Sequence, residues 1–161
     1  MQRLASSVCD KIKKYKEKYS KIINSKNEYY VIALNGYWAI SDNYDFDDIE
    51  PPYILKTLFG LDALQLRYSE RREIENLGYK HETCTPGNAP IAHFSKTENS
   101  DINGVLYSNV NVWEGHLPLG KDFIFIQNPY ANDITEVFKQ CNIKIWYRKT
   151  LKNDWFRFNQ K

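Results

Sequence analysis

The chain has 161 residues, 42% of them hydrophobic and 26% charged, with a formal net charge of +2. That length suits one domain, 1–161, able to bury a core without disulfides or a structural metal. An aromatic share of 15% sets it apart from disordered chains, and the small net charge does not by itself call for a nucleic-acid or membrane partner.

Residues 4–22 come first, with Leu4, Val8, Ile12, Tyr15, Tyr19 and Ile22 spaced by three or four. This predicts an amphipathic helix with its apolar stripe against the core. Lysines fill most of the other positions, and Ser7 with Asp10 three residues on is the expected start signal. The stretch lacks the charged lead and apolar run of a secretory leader. No segment has the roughly 18 consecutive apolar residues of a membrane span. Cys9, Cys84 and Cys141 show no short spacing, so neither a disulfide framework nor a metal knuckle is indicated. A reduced, cytoplasmic setting without membrane contact is the expectation.

Residues 28–34 and 37–41 flank Asn35-Gly36. An Asn-Gly pair supplies the positive φ angles of a type I′ turn, so this reads as a β-hairpin. An acidic loop at 42–50 follows, closed by Pro51-Pro52. Helical spacing resumes at 53–59, is broken by Gly60, and returns from Asp62 to about Leu77, with Gly78 placed as a helix-ending glycine. Residues 81–90 are a loop by composition. Strands are expected at 91–96, at 105–113 after an Asn103-Gly104 turn, and at 122–127. On the second of these, Leu106, Ser108, Val110 and Val112 form the more apolar face and should look inward. A short helix at 133–140, with Asp133 and Glu136 at its start, precedes strands at 143–148 and 154–158. The predicted class is α+β: a mainly antiparallel sheet of about five to seven strands, with the N-terminal helix and two or three shorter ones on one face.

Chemistry-bearing residues are sparse. His116 stands two residues after Glu114 between predicted strands, where loops carry functional side chains, and is the preferred catalytic histidine if there is one. Cys84 and His93 are the alternative centre, since a histidine can activate a thiol. The paired His81-Glu82-Thr83 and His93-Phe94-Ser95 stretches lie too close together for a two-histidine phosphoesterase. Asp42, Asp45, Asp47, Asp48 and Glu50 lack the glycine and spacing of a calcium loop, and read as a docking patch for a basic partner protein. Trp146, Arg148, Trp155 and Arg157 interleave aromatic and basic side chains, the pattern of a single-strand nucleic-acid surface. No cofactor or metal motif stands out. The expected function is therefore a non-enzymatic protein-binding module, of an inhibitor or immunity type that neutralises a toxin or enzyme by contact. The alternative is a small hydrolase or nucleic-acid-processing enzyme.

Overall fold

The computed structural model describes residues 2–23, 28–37, 53–68, 74–108, 110, 120, 122–150 and 156–160; within 62–68, 74–80, 148–150 and 156–160 the description is of backbone. Helix α1 spans Gln2–Glu17 and buries Leu4, Ala5, Val8, Ile12 and Tyr15. It begins before Ser7, whose hydroxyl instead donates back to the Arg3 carbonyl at 2.9 Å, so the expected start signal is not used. A 3-10 turn at Tyr19–Lys21 follows. Its tighter winding breaks the helical spacing, and Ile22 ends 76% exposed, off the apolar stripe.

Strand β1 (Val31–Asn35) does not turn back at Asn35-Gly36. It runs parallel to β4 (Gly104–Ser108), and the Gly36 N–H continues that ladder by donating to the Ser108 carbonyl at 2.7 Å. Neither Asn35 nor Gly36 has the positive φ that a type I′ turn requires. The glycine serves another purpose: a Cβ there would overlap the Tyr107 ring. Residues 38–41, the far side of the expected hairpin, lie outside the described residues.

Helix α2 (Tyr53–Phe59) ends at Gly60, whose φ of +66° only glycine adopts readily. The expected second helix is absent: β2 (Leu61–Tyr68) and β3 (Ile74–His81) form an antiparallel ladder, with Gly78 inside β3. Cross-strand pairing overrides the helix-favouring Leu, Ala, Gln and Arg of this stretch. Residues 91–96 are not a strand either. They close the end of α2, whose last carbonyls have no partner within the helix. Ala92 and Phe94 N–H donate to the Thr57 and Leu58 carbonyls at 2.8 Å each, and the Ser95 hydroxyl donates to the Phe59 carbonyl at 3.0 Å.

Strand β5 (Ile124–Gln127) pairs antiparallel with β4, and α3 (Thr135–Lys139) carries the chain over to β6 (Lys144–Thr150), which lies parallel to β5. The packed centre is thus a mixed four-stranded sheet, β1-β4-β5-β6, with two parallel joints. This corrects the antiparallel sheet of five to seven strands expected from the sequence. The hydrogen-bonded order continues through β7 (Phe156–Gln160), β3 and β2, with β3 meeting β7 at Tyr79 and Phe156.

The register explains the core. Ile32, Val105, Ile126 and Trp146 lie side by side across the four strands, facing α1 and α2. The next row back, Ala33, Leu106, Phe125 and Ile145, points the other way. There Phe125 stacks on Phe138 of α3, with ring centroids 3.9 Å apart. Helices therefore cover both faces, not one. For the same reason Val105 and Tyr107, not the Leu106 face, enter the larger core.

Loops at one end of the sheet are held by amide side chains. Asn128 is fully buried; its Nδ2 donates to the Asn99 and Ile102 carbonyls at 2.8 and 2.9 Å, and its Oδ1 accepts from Tyr130 N–H at 3.1 Å. Asn103 Oδ1 accepts from Tyr30 N–H at 3.0 Å and its Nδ2 donates to the Asn132 carbonyl at 3.1 Å. Gln127 Nε2 donates to the Asn128 and Asn132 carbonyls. These amides replace the backbone pairing that irregular loops cannot provide for themselves.

Candidate functional site

One flank of the exposed side of α1 is cationic. At 3.6 residues per turn, Arg3, Lys11 and Lys14 of α1, and Lys18 one residue past its end, fall within about 80° of arc and extend over roughly 22 Å. All four are exposed, with Ser7 between the first two. Asp10 and Glu17 border this stripe on its outer side. Glu17 is 3.9 Å from Lys13, outside the stripe, in a contact whose side chains are 74% and 59% exposed. Lys14 Nζ lies 6.0 Å from the centre of the Tyr19 ring. The helix is anchored by aromatic contacts behind the stripe, the Tyr30 ring standing 4.3 Å from Tyr15 and 6.0 Å from Tyr19. Ile22 and Tyr29, 76% and 55% exposed, add apolar surface in the segments beside those rings. The stripe presents charge on a helix, with the exposed Ile22 and Tyr29 in the segments that follow it.

A second contact joins α1 to the 90–95 segment. His93 Nε2 lies 3.8 Å from Cys9 Sγ. The sulfur that meets His93 is therefore that of Cys9, which lies 84 positions away in sequence. Cys84 is exposed, and its backbone bridges to Pro90. Burial pushes the Cys9 thiol above its usual range, and Asp10 adds to this. Burial holds His93 below the usual histidine range; a hydrogen bond to the Pro90 carbonyl opposes that shift and the Lys16 ammonium reinforces it. Both groups are thus held neutral, the reverse of the thiolate and imidazolium of an activated nucleophile. The pair acts as a clasp between helix and loop.

The other expected site residues fall as follows. Glu114, His116, Trp155 and the acidic set Asp42, Asp45, Asp47, Asp48 and Glu50 lie outside the described residues. Trp146 is half-buried against the α1 side of the core, with Lys144 Nζ 5.7 Å from its ring centre, so it is not an open stacking platform. Arg148 and Arg157 lie on the paired strands β6 and β7, opposite Phe158 and Lys149 respectively. Among the described residues no group of three or more His, Cys, Asp or Glu stands close enough to hold a metal ion. Nor is any described helix long and apolar enough to cross a membrane.

Comparison with protein-family models, with curated proteins and with solved structures gives no match.

The lysines of α1 were visible in the sequence as the polar side of an amphipathic helix. The alignment of Lys11 and Lys14 with Arg3 and Lys18, apart from Lys13 and Lys16, emerges once the core side is fixed by Leu4, Val8, Ile12 and Tyr15. The Cys9–His93 contact had no local signal at all.

Proposed function

We propose that this chain is a non-enzymatic binding module that holds another protein by its surface. The observation that supports this best is the cationic stripe of α1. An acidic patch on the partner would meet Arg3, Lys11, Lys14 and Lys18, with Ile22 and Tyr29 supplying apolar contact at the rim. A protein fits better than a nucleic acid because Asp10 and Glu17 flank the stripe, and because the chain's net charge is only +2. An inhibitor or immunity-type role, blocking a toxin or enzyme by contact, needs no more than such a surface. The acidic stretch 42–50 would give the same module a second charged element, of opposite sign.

The test compares the wild-type chain with a Lys11→Glu/Lys14→Glu/Lys18→Glu variant as bait in source-cell extract, at low and at roughly 0.3 M salt. At that salt, screening acts within about 6 Å. The expected result is one stoichiometric protein retained at low salt by the wild type, and lost both in the variant and at high salt. A Lys139→Glu control, remote on α3, should retain it. The same partners on wild type and triple variant would refute the stripe as the docking site. Salt-sensitive binding of a single-stranded oligonucleotide in preference to a polyglutamate peptide would replace the protein reading with a nucleic-acid one.

A further inference from the structure

The flank of α1 turned away from the cationic stripe closes against the 84–94 stretch. Gln2 and Cys9 lie about 20° apart on that flank at 3.6 residues per turn, and both reach across. Gln2 Nε2 donates to the Gly87 carbonyl at 3.4 Å, and Cys9 Sγ lies 3.8 Å from His93 Nε2. The Gln2 bond is long and exposed, so water competes for it. The thiol–imidazole contact is the part-buried closure of this seam.

The far side of the seam is held rigidly and under strain. Ala92, next to His93 and 6% exposed, has φ +66°, a left-handed conformation that persists in a residue with a Cβ only where the surroundings impose it. They do so here. Ala92 N–H donates to the Thr57 carbonyl at 2.8 Å, and the Ala92 carbonyl accepts from Ser95 N–H at 3.0 Å. Asn99 Nδ2 donates to the His93 carbonyl at 2.8 Å. The backbone that carries His93 is therefore fixed to α2 and its neighbours, and the ring is what can respond to a change on the α1 side. Strained backbone beside an ionisable side chain is an arrangement met at switch regions.

The ring's part in the contact depends on one proton. With its N–H given to the Pro90 carbonyl, a neutral imidazole keeps Nε2 as an acceptor, and the Cys9 thiol is the donor that meets it. A second proton makes Nε2 a donor too, aimed at a sulfur that accepts only weakly. Among the described residues the charged and titratable groups that bear on the ring come from α1: the Cys9 thiol in contact, and the Lys16 ammonium, whose like charge opposes the protonated ring. Asp10 bears on the thiol. α2 and the 3-10 turn at Thr97–Asn99 meet the segment through uncharged groups, the Thr57 and Leu58 carbonyls and the Asn99 amide.

We propose that His93 is an acid-operated latch: one proton taken up at Nε2 breaks the Cys9 contact and opens the seam between α1 and residues 84–94 while the sheet stays folded. Burial and Lys16 hold His93 below the usual histidine range. The open seam frees the ring from both, so the seam stays shut at neutral pH and opens progressively below about pH 6.5. The latch does not depend on what the stripe binds.

The test is labelling of the full native chain with dithiodipyridine between pH 7.5 and 5, each cysteine being followed by peptide mass spectrometry. The Cys9 rate is divided by that of Cys141, which is exposed and remote from the seam. Below the thiol pKa values the thiolate fraction of both falls alike, so without a latch the ratio is constant. The expected result is a ratio that rises below about pH 6.5, by up to about tenfold per pH unit, while tryptophan emission stays native. In His93→Gln, which keeps hydrogen-bonding groups but cannot take up the proton, the ratio should stay flat. Lys16→Gln removes the ammonium that opposes the charged ring, so the closed form tolerates the proton better and the rise should be smaller; this variant decides the matter if His93→Gln does not fold. A constant ratio in the wild type, a rise that persists in His93→Gln, an undiminished rise in Lys16→Gln, or a rise that comes only with loss of native tryptophan emission would overturn the proposal.

Discussion

Replacing Asn128 tests the claim that amide side chains hold the loops at this end of the sheet. Asn128 is fully buried, and its side chain serves three backbone groups: the Asn99 and Ile102 carbonyls and the Tyr130 N–H. In Asn128→Ala the Ile102 carbonyl and the Tyr130 N–H lose their partner, while the Asn99 carbonyl keeps the Ile102 N–H, which donates to it at 3.0 Å. A neutral hydrogen bond contributes about 1 kcal/mol net, while a buried group left unpaired costs about 1–3 kcal/mol. Tyr130 is 40% exposed, so its amide can turn to water. Ile102 is 0% exposed, so its carbonyl cannot do so easily. The expected loss is about 2 kcal/mol, a large share of the roughly 5–15 kcal/mol that holds a domain folded. For a chain of this size that lowers Tm by roughly 4–8 °C. Asn128→Asp should be worse at neutral pH. It keeps the acceptor for Tyr130 but points a carboxylate at two carbonyls, and it should recover as acid restores one donor. Urea unfolding followed by tryptophan fluorescence at pH 7 measures both variants. Asn132→Ala is the control, since Asn132 is exposed and contributes only its backbone carbonyl, so it should change stability by less than about 0.5 kcal/mol. A loss under about 1 kcal/mol for Asn128→Ala, or an Asp variant as stable as the Ala variant at pH 7, would refute the reasoning.

Two further outcomes follow from the Cys9–His93 clasp. Burial lowers the His93 pKa in the folded chain, so the unfolded chain binds a proton first as pH falls. The contribution of His93 is therefore fully present above its unfolded pKa of about 6.5. It is lost progressively below that, until the pH has passed the lower folded value. Denaturant midpoints compared at pH 7.5 and 5 should fall further for the wild type than for His93→Gln; equal falls would show that the imidazole stays neutral in neither state or is not buried. A disulfide reagent at pH 8 should modify Cys84 and Cys141 quickly, since both are exposed, and Cys9 only slowly until denaturant is added. A native Cys9 that reacts as fast as the other two would show that the clasp does not form.

The sequence was readable where one local cause acts and misleading where a distant one decides. Leu4, Val8, Ile12 and Tyr15 stand on one face of α1 because a helix against a core leaves few other arrangements. The stretch at 53–59 with Gly60 behind it, and the strand ending at Gln127, were legible on the same terms. Asn35-Gly36 carries a strong turn signal, yet a ring supplied by Tyr107, far along the chain, is what requires the glycine. Leu61 to Leu77 has helix-forming side chains, but pairing between β2 and β3 prevails over summed propensities of a few tenths of a kcal/mol per residue. The inward face of β4 was misjudged because alternation identifies an interior only when one side of a sheet meets water. Here α1 and α2 cover one side and α3 the other.

The same distinction governs the sites. The lysines of α1 were countable in the sequence, but a stripe is a statement about angle, and the angle came from the buried residues. Asp133 was legible as a helix-start residue, and it does accept from Thr135 N–H as such a residue should. The crossover that follows, by which α3 carries the chain from β5 to the parallel β6, has no such local signal. It follows from Phe125 and Ile145 needing cover on the face that Phe138 fills.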